Sequence, residues 1–192
     1  EKLEADLRKL SEATPAEQKY DKWELDFLCD YIVNTHHAYV SEAIPLILSY
    51  TSKVAQVHGH AHPAVIEINN LFIGVAEELN LHMIKEERIL FPYIKNVCKA
   101  SRGNEQIPKP TFGTVLHPIQ MMESEHETVG KILKEIAILS NNYTPPEWAC
   151  NTFKALYAKL DEFEQDLHLH VHLENNILFP KAIELEKIIS IK

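Results

Sequence analysis

Residues 82–92 read HMIKEERILFP, and residues 170–180 repeat the pattern as HVHLENNILFP. Both copies follow HxxxExxILFP and lie 88 residues apart, as expected for two similar helix hairpins related by a pseudo-twofold axis. A histidine precedes each copy by nearly the same distance, since His37 lies 45 residues before His82 and His126 lies 44 before His170. The repeat therefore predicts a bundle built from two similar halves.

The spacing within each copy places a histidine and a glutamate on one helix face. Side chains four residues apart project from the same face, about 6 Å apart, so His82 with Glu86, and His170 with Glu174, can contact one metal cluster. Apolar residues at helical spacing continue these stripes. The residues predicted to be buried with them are Leu71, Val75, Ile89 and Leu90 in the second helix; Val115, Ile119, Met122, Val129, Leu133 and Ile136 beside His126 in the third; and Leu160, Phe163, Leu167, Ile177 and Leu178 in the fourth.

Histidine and glutamate thus occupy positions that an ordinary bundle gives to leucine. A carboxylate buried without a partner carries a large desolvation penalty, which a cation removes. Nitrogen and oxygen ligands suit Fe, Mn, Cu or Zn, and a carboxylate pair that bridges two hard, redox-active ions favours iron. The zinc-protease motif HExxH is absent, because Gly130 stands where its second histidine would be. A ferritin-like site needs two Glu-x-x-His motifs, and only Glu123 to His126 supplies one.

Turn signals divide the chain into four long helical segments. The first runs from Trp23 to about Tyr39 and resumes from Pro45 to about Val57. The others cover about 63–100, 113–139 and, opening at Pro145-Pro146, 145–188, with a loop at 101–111. Short connections between such segments predict an all-α, antiparallel four-helix bundle. We expect residues 1–20 to be a linker or frayed segment and residues 21–192 to be the single domain.

Composition excludes several classes of function. The net charge of -9 argues against binding to nucleic acid or to an anionic membrane, because both require clustered lysine and arginine. Apolar runs are too short to span a bilayer. The three cysteines, Cys29, Cys98 and Cys150, are far apart in the chain and indicate neither a disulfide framework nor a thiolate metal site. These features predict a soluble, cytoplasmic protein.

Five of the eleven histidines have an ordinary structural explanation. His168 and His172 lie about 200° around the helix from His170, so they should face outward. Others, at His60, His62 and His117, lie near predicted turns and are expected to be solvated. The stripe alone does not choose between His36 and His37.

From about Asp21 to Lys187, the chain resembles the hemerythrin-like proteins and, among them, the Repair of Iron Centers family of bacterial di-iron proteins. The resemblance is carried by DYIV at 30–33 with His37, KVAQVH at 53–58, residues 82–92, MESEH at 122–126 and residues 173–180. It implies two iron ions in a non-haem, oxo- or hydroxo-bridged centre. The implied terminal ligands are His37, His58, His82, His126 and His170, and the implied bridging ligands are Glu86 and Glu174.

The resemblance also implies a function in repairing iron–sulfur clusters damaged by nitric oxide or oxidative stress. Repair would proceed by iron donation or by nitric oxide redox chemistry at the centre, with damaged iron–sulfur proteins as partners. The alternative is a hemerythrin-like module that binds or senses oxygen. Either function leaves a coordination place for a small diatomic ligand, oxygen or nitric oxide. Glu125, adjacent to His126, is a candidate for proton transfer, and its other interpretation is a solvated surface glutamate.

His58 sets a geometric condition on this ligand set. It lies 21 residues after His37, and one continuous helix would hold the two about 31 Å apart. We therefore predict a break between them, at residues 41–45, where Pro45 disfavours a continuous helix. If the helix is continuous, one of the two histidines is not a ligand.

Overall fold

The computed structural model describes residues 20–103 and 110–190, so most of the predicted linker at 1–20 lies outside the described residues. Within these ranges the chain forms four long helices and no β-strand. After a 3-10 turn at Tyr20–Lys22, α1 comprises Leu25–Ile32, Val33–His37 and Ala38–His58; α2 comprises Ala64–Lys85, Glu86–Leu90 and Phe91–Gly103; α3 is Leu116–Leu139; and α4 comprises Asn151–Leu173, Glu174–Leu178 and Phe179–Ser190.

The four helices pack as the predicted bundle. α1 contacts both α2 and α4, and α2 contacts α3. The C-terminal part of α2 also packs against that of α4, as expected if the two repeated segments face each other. None of the helices in the described part of the chain is both long and apolar enough to cross a membrane.

Three of the helical segments are π-helical turns: Val33–His37, Glu86–Leu90 and Glu174–Leu178. Two of them lie just before the prolines of the repeat, Pro92 and Pro180. Proline has no N–H and its ring collides with the carbonyl four residues earlier, yet the helix continues through both prolines. Each π turn contains His37, Glu86 or Glu174, so the irregular backbone coincides with the predicted metal ligands.

The extra residue of each π turn shifts the helix register, which overturns one predicted core position. Ile89 was expected to be buried and is 50% exposed. Leu90 occupies the core position beside it and is 1% exposed, because the π turn of Glu86–Leu90 rotates the following residues around the axis. Ile177, the equivalent of Ile89 in the second copy, is half-buried.

Two apolar clusters fill the bundle and leave a polar layer between them. The distal cluster, toward the α1–α2 turn, includes Ile47, Phe72, Leu133 and Phe163, and the proximal cluster includes Leu28, Ile94, Ile119 and Phe179. Full burial of one such side chain contributes about 1.5–3 kcal/mol. Along every helix, the predicted histidines and glutamates other than His58 lie where the residues of one cluster are followed by those of the other. The polar layer is therefore enclosed on both sides by tightly packed apolar residues.

The bounds of the helices differ from prediction in three places. α1 is continuous through Pro45 to His58, so the predicted break at 41–45 is wrong; the helix tolerates one lost backbone hydrogen bond there. α3 begins at Leu116, later than expected. α4 begins at Asn151, because the residues after Pro145-Pro146 form an irregular connection.

A tight turn connects α1 to α2 and depends on Gly59. A β-carbon at this position would lie 2.4 Å from the carbonyl oxygen of Ala55 and 2.7 Å from the side chain of Ile66. Atoms cannot approach so closely, so any larger residue would push the two helices apart. The backbone φ of Gly59 is -60°, which any residue can adopt. Glycine is therefore required here because of the close approach and not because of the backbone conformation.

Candidate metal centre

Six buried side chains converge in the polar layer and form two overlapping groups with the geometry of metal ligands. The first group contains His37, Glu86, His170 and Glu174, and the second contains His82, Glu86, His126 and Glu174. Within each group, one nitrogen or oxygen atom per residue lies within 4.8 Å of every other. Glu86 and Glu174 belong to both groups, which is the arrangement that two bridged ions require.

The Nε2 nitrogens of the four histidines all face Glu86 or Glu174. Nε2 of His82 lies 3.0 Å from Nε2 of His126. One imidazole can donate its Nε2–H to the other, and a cation in contact with both nitrogens would take the place of that proton. Glu86 Oε2 lies 3.3 Å from Nε2 of both His37 and His82, so a single carboxylate oxygen faces one histidine of each group.

The two glutamates are fully buried and incompletely satisfied. Both are 0% exposed. Among the described residues, no hydrogen bond of good geometry forms at either oxygen of Glu86 or at Oε2 of Glu174, although histidine Nε2 atoms lie 3.2 to 3.3 Å from Oε2 of each. Burying such groups without partners is strongly unfavourable, and binding of cations would satisfy all three oxygens. The residues present therefore fit a dinuclear metal site.

The outer nitrogens of three of these histidines are held by hydrogen-bond acceptors. His37 Nδ1 contacts Glu87 Oε1 at 2.8 Å, His82 Nδ1 contacts Glu125 Oε2 at 3.0 Å, and His126 Nδ1 contacts Asn175 Oδ1 at 2.9 Å. An acceptor at Nδ1 fixes the proton there and leaves the Nε2 lone pair for a metal. These partners pre-orient the rings toward the centre.

His170 differs from the other three. Its Nδ1 is buried and meets no hydrogen-bond partner in the described residues, while its Nε2 contacts Glu174 Oε1 at 3.0 Å. The ring of His36 stacks on it, with ring centres 5.6 Å apart. Apolar and aromatic packing, rather than an acceptor, therefore fixes the orientation of His170.

The charges of the cluster stabilise one another. Burial disfavours the charged form of His82, but Glu86, Glu174 and Glu125 outweigh it and raise its pKa to about 9. Burial likewise opposes charge on Glu174, yet His170 and His126 hold its pKa well below the ordinary value. A metal that binds through His82 must displace its proton, so metal binding and proton release are coupled here.

Glu125 belongs to neither ligand group but contacts His82, which does. Its carboxylate accepts from His82 and forms an ion pair with Lys85. Burial raises the pKa of Glu125, but these two neighbours outweigh it and leave the pKa below the ordinary value. The side chain is 18% exposed, so it connects the buried histidine to the surface and is not simply solvated.

The adjacent histidines His36 and His37 have different environments. Both are buried, but only His37 belongs to a candidate ligand group. His36 Nδ1 contacts Asp166 Oδ1 at 3.0 Å, on the outer side of the cluster. His168 and His172 are exposed, as predicted.

His58 does not reach the centre, so the prediction that it is a ligand is wrong. The segment Ala38–His58 is one continuous helix, which separates His58 from His37 by about 31 Å. His58 Nε2 instead contacts Cys150 Sγ at 3.3 Å. A ligand set without His58 contains four histidines and two glutamates.

The Hemerythrin HHE cation binding domain matches residues 30–182, a range that contains all six residues of the two groups, and the chain belongs to this family of cation-binding proteins. Two curated relatives are the iron-sulfur cluster repair proteins YtfE of Yersinia pseudotuberculosis serotype IB (strain PB1/+) and Yersinia pestis (strain Pestoides F). Each is 36% identical over 184 residues, which make up 96% of this chain and 77% of the relative. The expected resemblance to the iron-centre repair proteins is thereby confirmed.

Proposed function

We propose that the protein binds two iron ions in the polar layer and acts in the repair of iron–sulfur clusters damaged by nitric oxide or oxidative stress. The observation that carries the proposal is the pair of ligand groups that share Glu86 and Glu174. The similarity to proteins named for iron–sulfur cluster repair supplies the biological context.

In this proposal His37 and His170 would be the terminal ligands of one ion, and His82 and His126 those of the other. Glu86 and Glu174 would bridge the two. Imidazole nitrogens with carboxylate oxygens, and no thiolate, suit iron in its common oxidation states. Cys29, in the proximal cluster, is not a competing ligand, because burial raises the pKa of its thiol and keeps it protonated.

The ligand count also supports access for a small molecule. Each group contains four protein residues, whereas a six-coordinate ion has further places. Iron held in this way would supply redox chemistry toward nitric oxide or oxygen, or would itself be donated. The apolar clusters exclude bulk water from both sides, and Glu125 with Lys85 offers the half-buried route by which a proton on His82 can reach the surface.

A repair assay with matched variants tests this function. The protein is loaded anaerobically with Fe²⁺ and added to an enzyme whose [4Fe–4S] cluster has been damaged by nitric oxide, and the recovery of enzyme activity is followed. We expect recovery with the loaded protein and with Glu184→Leu, which alters an exposed glutamate of α4. Glu86→Leu and Glu174→Leu should give no recovery above that from equal free Fe²⁺.

Two outcomes separate the metal site from the function. If Glu86→Leu and Glu174→Leu lose iron and the wild-type protein does not accelerate recovery, the centre exists but cluster repair is not its function. If both variants retain two iron ions, the assignment of the ligands is wrong.

A further inference from the structure

A second reactive group lies at the distal end of the bundle, away from the polar layer. His58 is the last residue of α1, and Cys150 immediately precedes the first residue of α4. Their side chains meet where α1 ends and α4 begins, with 3.3 Å between His58 Nε2 and Cys150 Sγ. The distance is suitable for a hydrogen bond from the thiol to the imidazole, or from the imidazole to a thiolate.

Aromatic rings hold His58 in place for this contact. Its ring centre lies 5.7 Å from that of Trp148 and 5.5 Å from that of Phe153, with an edge-to-face arrangement in the second pair. Trp148 is in turn stacked on His62 at 3.9 Å. A surface histidine is usually free to rotate, whereas this one is fixed with Nε2 directed at the sulfur.

Cys150 differs from the other two cysteines in its exposure. Cys150 is exposed, whereas Cys29 and Cys98 are buried in the proximal cluster. Burial raises the pKa of both of these buried thiols, so they are poor nucleophiles at neutral pH.

A cavity next to the pair has room for a small peptide-like molecule. It has a volume of about 480 Å³ and is lined by Trp148, His62, Asn141, Thr144 and Glu147, among others. This volume lies in the range of small-molecule sites. Neither Cys150 nor His58 lines this cavity, but Trp148 and Phe153 do, and both of these rings also contact His58.

We propose that Cys150 and His58 form a thiol–imidazole pair that undergoes reversible exchange with low-molecular-weight disulfides. Cys150 Sγ gives its proton to His58 Nε2, and the thiolate attacks one sulfur of the disulfide. The disulfide bond breaks, a mixed disulfide forms on Cys150, and the departing thiolate takes the proton from His58. The incoming disulfide is the only oxidant, and one of its two sulfur atoms leaves as a thiol.

The pair is independent of the proposed iron centre, since about 31 Å of helix separates His58 from His37. Modification of Cys150 would depend on the thiol redox state of the surroundings and would not involve the metal ligands. The inference therefore stands or falls separately from the function proposed above.

The test uses the iron-loaded protein and glutathione disulfide as the probe. Adduct formation is followed by intact-protein mass, and the modified residue is located by peptide mapping. We expect one adduct, on Cys150, that dithiothreitol removes. A positioned base typically contributes 10²-fold or more to a proton transfer, and since this pair is partly solvated we expect His58→Gln to slow the reaction by about tenfold. His60→Gln, which changes an exposed histidine two residues away, should react at the wild-type rate.

Helix content and iron content of each variant establish that it is folded. If His58→Gln does not fold, a second comparison replaces it: the native protein must react faster than a peptide of residues 145–155, which contains Cys150 but not His58. Equal rates for His58→Gln and wild type, equal rates for protein and peptide, or an adduct on Cys29 or Cys98 would each overturn the proposal.

Discussion

The substitution Glu174→Leu separates the two effects of a buried carboxylate, its energetic penalty in the apoprotein and its use as a metal ligand. Glu174 is fully buried, and its partners are His126 at 3.2 Å and His170 at 3.0 Å. Replacing a buried ion pair by apolar groups of similar size is often neutral or stabilising by about 1–4 kcal/mol, whereas removing one partner alone can be costly. Here the partners are histidines, which can lose their protons once the carboxylate is gone.

We therefore expect the free energy of unfolding of the Glu174→Leu apoprotein to lie within about 2 kcal/mol of the wild-type value. The difference should appear when iron is added. Iron at 100 times its dissociation constant stabilises a one-site protein by about 2.7 kcal/mol, and the wild-type protein should show at least this gain. The variant should show little or none, because both ligand groups include Glu174.

Urea denaturation under anaerobic conditions, with and without Fe²⁺, measures both quantities. Glu184→Leu is the matched control, since it makes the same change at an exposed position of the same helix. Its iron-dependent gain should equal that of the wild type. An equal gain in Glu174→Leu would refute the assignment of this residue as a ligand.

Three further predictions follow from the described contacts. His58→Gln should retain the full iron content of the wild type, whereas His126→Gln should lose iron, as measured by metal analysis; iron loss in both would restore His58 to the ligand set. Glu186→Leu should lower the free energy of unfolding by about 1–3 kcal/mol, because three donors lose a buried acceptor, and unchanged thermal unfolding would contradict this. The pKa of His82 is raised to about 9, so the ring must lose a proton before it binds a metal. Iron affinity should therefore rise between pH 6 and 9. An affinity that does not change over this range would show that His82 binds no metal.

The repeat predicted the bundle and four of the six residues in the two groups, and the apolar stripe of α3 added His126. Its spacing placed a histidine and a glutamate on one face of α2 and of α4, and the apolar stripe of α3 was entirely as predicted. The nearly equal distances of 45 and 44 residues from His37 and His126 to the two copies also anticipated the pseudo-twofold arrangement. Periodicity could not choose His37 over His36, because adjacent residues on α1 are both buried.

Two features could not be predicted from the sequence because they depend on backbone geometry. The π turns shift the register after Glu86 and Glu174, and a fixed period of 3.6 residues cannot anticipate an inserted residue. The helix also continues through Pro45, where local preference predicted a break and the packing of α1 against α2 and α4 prevails. The assignment of His58 as a ligand came from resemblance alone and failed for the same reason.

The acceptors that orient the histidines could have been found in the repeat itself. Glu87 and Asn175 occupy the same place in the two copies, directly after Glu86 and Glu174, and they hold the equivalent histidines His37 and His126.

The symmetry fails at the position before these two histidines. Glu125 there holds His82, whereas its counterpart His36 only stacks on His170. This difference explains why one outer nitrogen of the cluster has an acceptor and its symmetry mate has none.

The most direct test of the central claim is the location of the metal in a crystal of the anaerobically iron-loaded protein. Diffraction data collected on either side of the iron absorption edge would show the positions of the iron atoms. The account predicts two anomalous peaks per chain, one between His37 and His170 and the other between His82 and His126, both in contact with Glu86 and Glu174. A single peak, or a peak beside His58, would contradict it.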